Sequence, residues 1–334
     1  MKKNYYLFNP GRLSRKDNTL KFSPSPVDGQ EVSPRYLPVE EVDSLYVYGA
    51  LDANSSLYNF LGKHDVAVHF FDYYENYTGS FAPKKVLLSG KMLVAQTQLY
   101  LNDTKRLDLA QRCLDGAAHN MLKNLQYYDR RDKDMEPFIT PMKALQEEIW
   151  HSKNIKSLMG VEGNIRKHYY DAFNLIINDH VMGIRTKQPP LNIVNSLISF
   201  GNMMCYSECL RSIMKTQLEP TISFLHEPGD RRYSLSLDLS EIFKPLLVDR
   251  VIFKMLNKRV LQERDFDLYM NRVVMKDAGK KKFVAAIEKR MTETIKHRQL
   301  QRSVSYKHLI KLECYKLQKH ILGIQTYEPF KMWW

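Results

Sequence analysis

An α+β chain, mainly helical, is expected: a small β-rich N-terminal domain over residues 1–90, then a larger all-helical domain over 91–334 interrupted by one short β-hairpin. Three observations lead there. The first stretch carries short runs of β-branched and aromatic residues separated by Pro, Gly, Asn and Asp, which is the composition of strands and turns. Near Gly90 the apolar period changes, and from Lys91 onward apolar residues recur at helical spacing. The length of 334 residues suits two domains of ordinary size.

The elements follow in order. Tyr5-Tyr6-Leu7-Phe8 reads as a strand, and the runs 11–15 and 19–22 flank the turn signal Lys16-Asp17-Asn18, predicting a hairpin. Residues 23–34, rich in Pro, Ser and Gly, read as a loop. The runs 44–49 and 66–71 read as strands, and 55–62 between them as a short helix ending at Gly62. His69 alternates into its strand as a packed residue. Within the helical part, loops are expected at 130–135 and at 186–190, where Pro189-Pro190 must stop a helix. A β-hairpin is expected at about 221–237, turning at Glu227-Pro228-Gly229-Asp230 with His226 at its base. The last long helix, about 303–325, places Tyr306, Ile310, Cys314, Leu317, Ile321 and Ile324 on one face.

Composition narrows the class of function. Apolar content of 44% and charged content of 26% are those of an ordinary globular protein. No run approaches the roughly 18 apolar residues of a membrane span, and the start Met1-Lys2-Lys3-Asn4 leads into a strand without an apolar leader, so a cytoplasmic protein is expected. Cys113, Cys205, Cys209 and Cys314 lack zinc-ligand spacing and read as core filling. The net charge is +13, and over 251–334 nineteen Lys or Arg stand against eight Asp or Glu. Such asymmetry points to a polyanion, most often nucleic acid. Lys280, Lys281, Lys282, Lys289, Arg290, Lys296, Arg298 and Arg302, with Lys311, Lys316 and Lys319, are candidate phosphate contacts; a solvated basic face is the alternative.

One residue breaks the pattern. Ile155, Leu158, Glu162, Ile165, Tyr169, Ala172 and Ile176 are spaced 3, 4, 3, 4, 3, 4 and lie on one helix face. A carboxylate there must be neutralised, paired with a cationic side chain, or bound to a metal. His226, Asp238 and Glu241 offer further hard ligands, so the set suggests a magnesium or manganese site. Each has a structural alternative. Asp238-Leu239-Ser240-Glu241 matches a capping box that would start a helix over 239–243, Glu162 could pair with a buried Arg or Lys, and His226 could bond a hairpin carbonyl.

The residues also resemble a known family, the Cas-one integrases of CRISPR adaptation, over nearly the whole chain. The resemblance runs through Gly11-Arg12-Leu13-Ser14-Arg15, Met159-Gly160-Val161-Glu162-Gly163 with Tyr169-Tyr170, and the stretch 190–201. Its most specific part is Phe224-Leu225-His226 followed by Ser234-Leu235-Ser236-Leu237-Asp238-Leu239-Ser240-Glu241-Ile242-Phe243 and on to Arg250. It implies that Glu162, His226 and Glu241 are catalytic metal ligands, with Asp238 beside them as a helix cap or supporting group. It implies a divalent-metal-dependent endonuclease and integrase that inserts short DNA fragments into a CRISPR array by attack of DNA 3′-hydroxyls. It also implies a homodimer, a Cas-two dimer as partner, and both double-stranded and branched DNA as substrates. The chain resembles members from type I systems, more loosely subtype I-B. Two positions depart: Gln217 stands for a usual glycine, and Lys244 for a common arginine. A repair nuclease acting on branched DNA with the same metal, or a non-enzymatic helical DNA-binding adaptor, are the competing functions.

Overall fold

The computed structural model describes residues 2–26, 30, 32–83, 87, 89–230, 232–269, 272–298 and 300–333. Part of the expected 23–34 loop, and Arg231 within the expected hairpin, lie outside the described residues. The chain divides into two compact units, Met1–Val86 and Leu87–Trp334.

In the first unit, β1 (Lys3–Leu7), β2 (Gly11–Lys16), β3 (Thr19–Pro24), β4 (Arg35–Pro38), β5 (Val42–Val47) and β6 (Leu51–Asp52) precede α1 (Ser55–Lys63), β7 (Ala67–Phe71) and β8 (Tyr77–Phe81). One sheet has the order β1-β5-β7-β8, with β8 antiparallel to an otherwise parallel set. The other has the order β4-β3-β2-β6. The expected hairpin is present: Lys16 pairs with Thr19, and Asp17 takes a left-handed φ of 54° in the turn. Leu7, Leu45 and Val68 from one sheet, Leu13, Leu20 and Phe22 from the other, and Leu57, Phe60 and Leu61 of α1 share one apolar core. Gly11 is obligatory where β2 meets β3, because a Cβ there would lie 2.6 Å from the Ser23 carbonyl oxygen. Asn54 caps α1 by accepting the Leu57 N–H; the helix runs past Gly62 to Lys63, and Asp65 supplies the left-handed turn. His69 is fully buried and bonds Ser80 Oγ at 2.6 Å across the β7–β8 pairing.

The second unit contains α2 (Gly90–Leu101), α3 (Asp103–Asp129), α4 (Glu136–Glu148), α5 (Ile155–Asp171), α6 (Phe173–Ile176), α7 (Ile193–Met214), α8 (Ser234–Lys244) and α9 (Arg250–Asn257). Two small ribbons follow, β9 (Phe266–Tyr269) with β10 (Arg272–Met275), and β11 (Thr294–Lys296) with β12 (Ser303–Ser305), interleaved with α10 (Asp277–Thr292) and α11 (Tyr306–Ile321). The long α7 is buried on most sides, Leu197, Ile198, Cys205, Cys209 and Leu210 being inaccessible, so it forms the centre of the bundle. Buried amides on α3 tie neighbouring elements together: Asn120 Nδ2 donates to Ile242 O at 3.0 Å, and Asn124 Nδ2 to Pro245 O at 2.7 Å. Pro245 has no N–H to give the Glu241 carbonyl, and residues Pro245–Asp249 widen into a π-helical turn.

Three expectations are corrected. The hairpin at 221–237 does not form. No strand lies there among the described residues, and α8 already starts at Ser234. The N–H groups of Phe224, Leu225 and His226 are taken by the Asp238 carboxylate at 2.7, 3.0 and 3.0 Å, so they have no use for a facing strand. The hairpins of this unit are instead the two ribbons at 266–275 and 294–305, where helix was expected. The last helix is shorter than 303–325: Ser303–Ser305 belongs to β12, Gly323 turns left-handed at φ 69°, and Ile324 is 67% exposed. All four cysteines are buried and free, as the core reading requires.

Candidate metal centre

Asn154 starts α5 with a reciprocal capping box to Ser157. From that start, Leu158, Ile165, Tyr169, Ala172 and Ile176 are buried along one face, and Glu162 lies on the same stripe with its side chain 12% exposed. Glu241 projects from α8 with its side chain 6% exposed. The guanidinium of Arg166, one turn after Glu162 on α5, joins these two carboxylates: Nε pairs with Glu162 and Nη2 with Glu241. Lys244 Nζ adds a second cation at 2.8 Å from Glu241 Oε1. The charge of Glu162 is therefore met inside the protein by an arginine.

His226 is placed differently. Its Nδ1 lies 2.8 Å from Asp238 Oδ1, and among the described residues it makes no hydrogen bond or ion pair with Glu162 or Glu241. Asp238, 1% exposed, is not the cap of α8: that position is Tyr233, and Asp238 sits inside the helix. Its carboxylate instead gathers three backbone N–H groups and the imidazole of the 224–226 turn, an orienting role. Arg106 closes the turn from α3, donating to Phe224 O at 3.0 Å and to Glu227 at 2.7 Å.

Further cations surround the acid pair. Arg185, on the segment before α7, donates to Asn195 Oδ1 at 3.0 Å and Ser199 Oγ at 3.1 Å. Tyr170 accepts from Arg166 Nη1 at 3.4 Å. Burial, then the charges of Arg166, Arg185 and Lys244, lowers the Lys187 ammonium below its ordinary value. Burial, then Arg166, pushes Lys244 down to about 8. Burial acts to lower Arg166 too, but Glu162 and Tyr170 outweigh it and the guanidinium is held above its usual range. Beneath this cluster, Asp249 accepts from Tyr169 OH at 3.0 Å, and burial raises it to about 7. Arg185, Lys187 and Asp249 have no signal of their own in the sequence; Arg166 had one, the four-residue step from Glu162.

Among the described residues, no three His, Cys, Asp or Glu side chains stand grouped as metal ligands. The donor chemistry nonetheless fits a hard divalent ion. Two carboxylates from separate helices already share one buried cation, and Asp238 holds Nδ1 of His226 so that Nε2 is the nitrogen left to ligate.

On the basic C-terminal part, Lys281, Lys289, Lys296, Arg298 and Arg302 are exposed. Lys282 pairs with Asp265 at 2.7 Å and Lys280 with Asp277 at 3.9 Å. Arg290 is held internally: it donates to Leu246 O at 3.0 Å and to Tyr306 OH at 2.9 Å, and pairs with Glu293. No helix among the described residues is long and apolar enough to cross a membrane.

Comparison with known proteins agrees with this architecture. A family profile described as CRISPR associated protein Cas1 matches residues 5–289. A CRISPR-associated endonuclease Cas1 from Fusobacterium nucleatum subsp. nucleatum is 43% identical, covering 100% of this chain and 98% of its own length. A solved structure of a CAS1 protein from Thermotoga maritima superposes with a TM-score of 0.87 at 34% identity, over 97% of this chain and 99% of that one. A casposase bound to integration product shares the fold at a TM-score of 0.87 and 18% identity, over 99% of this chain and 93% of that one. Matched along its whole length by a relative of such similarity, and by the profile over most of it, the chain belongs to the Cas1 family, the Cas-one family of the sequence resemblance.

Proposed function

We propose that this protein is a divalent-metal-dependent DNA integrase with endonuclease activity, inserting short DNA fragments into a CRISPR array. The observation that carries this reading is the convergence of Glu162 and Glu241, from separate helices, on the one buried Arg166 guanidinium, with Lys244 on Glu241 as a second cation. Relatives named as Cas1 endonucleases support the activity, and the fold shared with a casposase is compatible with it.

In this reading Glu162 and Glu241 hold a magnesium or manganese ion, and His226 contributes Nε2. A bound ion of this kind polarises the phosphodiester and offsets the charge that builds in the transition state. Asp238 fixes the imidazole by holding Nδ1, so the ring does not lose its aim. Arg185 and Lys187 supply positive charge for the non-bridging phosphate oxygens. In strand transfer, the incoming 3′-oxygen forms a bond to phosphorus and loses its proton to solvent. The bond from that phosphorus to the repeat's own 3′-oxygen breaks, and the leaving oxygen takes up a proton. Water in place of the 3′-hydroxyl gives hydrolysis.

Lys280, Lys281, Lys282, Lys289, Arg298 and Arg302 bind the backbone of double-stranded or branched DNA, while Arg290 serves as an internal strut. A homodimer paired with a Cas2 dimer is the expected assembly. Glu162→Ala should lower strand transfer at least about a hundredfold while leaving DNA binding within about twofold, measured by integration and filter-binding assays. Integration at the wild-type rate would rule the site out.

A further inference from the structure

The cation that Glu162 and Glu241 share belongs to the chain itself. Arg166 projects from the same helix as Glu162, one turn on, and its Nε and Nη2 reach the two carboxylates separately. All three side chains are largely enclosed, at 20, 12 and 6% exposure for Arg166, Glu162 and Glu241. Enclosure makes the neutralisation necessary, because two adjacent uncompensated carboxylates would repel strongly away from water. With Lys244 on Glu241, the four groups sum to zero charge.

A divalent ion added to that quartet would leave it at +2. Positive charge is already crowded there: besides burial, Arg166, Arg185 and Lys244 together lower the proton affinity of Lys187. The ion therefore has to replace a cation rather than join it. We infer that Arg166 is the resident counter-ion of the acid pair and that a divalent metal enters by exchange with its guanidinium, so that Arg166 sets the metal affinity of the site. This rests on the metal reading of the same carboxylates given above.

The consequences are specific. The guanidinium is tethered one turn from its partner and competes at high effective concentration, so wild-type affinity for the ion is held down. It also stabilises the fold, because removing one partner of a buried ion pair leaves the others uncompensated. Lys244 cannot fill the same role, since it is a point charge already placed on the opposite oxygen of Glu241 and has no fork to span both residues. Exchange does not expel Arg166 into a void. Its Nη1 already donates to Tyr170 OH at 3.4 Å, so the guanidinium has a hydrogen-bond partner to turn toward as it withdraws from the acids.

The test is a manganese titration of the full-length protein without DNA, read by calorimetry and by thermal unfolding. Arg166→Gln keeps an N–H donor near the Nε position but removes the charge and the fork that spans both acids. It should bind manganese at least about tenfold tighter than wild type, melt at a lower temperature without metal, and recover on manganese addition. Arg166→Lys should fall between the two. Equal or weaker manganese binding by a folded Arg166→Gln protein would overturn the exchange while leaving the metal site standing; no manganese binding by any form would overturn the exchange together with the metal reading. Should the glutamine variant not fold, a magnesium titration of the wild type decides the matter by NMR. The Arg166 Nε–H resonance, assigned by its loss in Arg166→Lys, should shift in step with metal binding, and an unmoved resonance at saturation would overturn the inference.

Discussion

Asp238 illustrates how much one side chain can organise. Its carboxylate accepts three consecutive backbone N–H groups and holds Nδ1 of His226, at 1% exposure. Removing it leaves those donors buried without an acceptor, each costing about 1–3 kcal/mol. Asp238→Ala should therefore destabilise the protein by roughly 3–5 kcal/mol in urea unfolding, whereas Asp238→Asn, which keeps one acceptor oxygen, should lose less. A loss under about 0.5 kcal/mol for the alanine variant would show that the turn is held otherwise. The residue scale also shows what sequence could and could not supply. Glu162 was legible because a charge interrupted a clean apolar stripe. The role of Asp238 was not: Asp-Leu-Ser-Glu spells a capping box locally, and only the distant N–H groups of 224–226 override it. That Arg166 answers both acids depends on the approach of α8 to α5, which no local pattern encodes.

Among elements, α7 and the π-helical turn at Pro245–Asp249 depend on each other. A Cβ on Gly201 would overlap Val248 Cγ1 and press on Phe283 at 3.3 Å, so α7 can approach the turn only with glycine there. The turn continues directly from the end of α8 that carries Glu241 and Lys244, and it ends at Asp249. Gly201→Ala should destabilise by about 1–3 kcal/mol despite its better helix propensity, and the turn's amides should lose hydrogen-exchange protection. An alanine variant more stable than wild type would contradict the packing described. Strands and helices with a clean period were readable: the early hairpin, β5, β7, α1 and α5 all stand close to where their spacing put them. The segment 215–230 was not, because several of its backbone groups, those of Glu219, Ile222 and Phe224 among them, are satisfied by Gln96, Arg106 and Asp238 from α2, α3 and α8. The ribbon at 266–275 did carry a signal, the β-branched Val273-Val274, which the surrounding helical pattern obscured.

At the scale of the molecule, the charge is the property that matters most for a nucleic-acid partner. The chain carries +13, and the exposed Lys281, Lys289, Arg298 and Arg302 lie in its C-terminal part. Reversing Lys281, Lys289 and Arg298 to Glu should weaken DNA binding and reduce the log–log salt slope by roughly one for each phosphate no longer neutralised. An unchanged slope would mark these residues as a solvated face. The β-rich first unit and helical second unit were legible from the change of period alone, and the family from motifs spread along the chain. The geometry around the acid pair was not, since it joins residues from α5, α8 and the segment before α7. An anomalous-difference map from crystals grown with manganese puts that geometry to its sharpest test. The expected map has a peak coordinated by Glu162, Glu241 and Nε2 of His226, with Arg166 turned away; full occupancy elsewhere, with Arg166 still bridging the two carboxylates, would contradict the proposed centre.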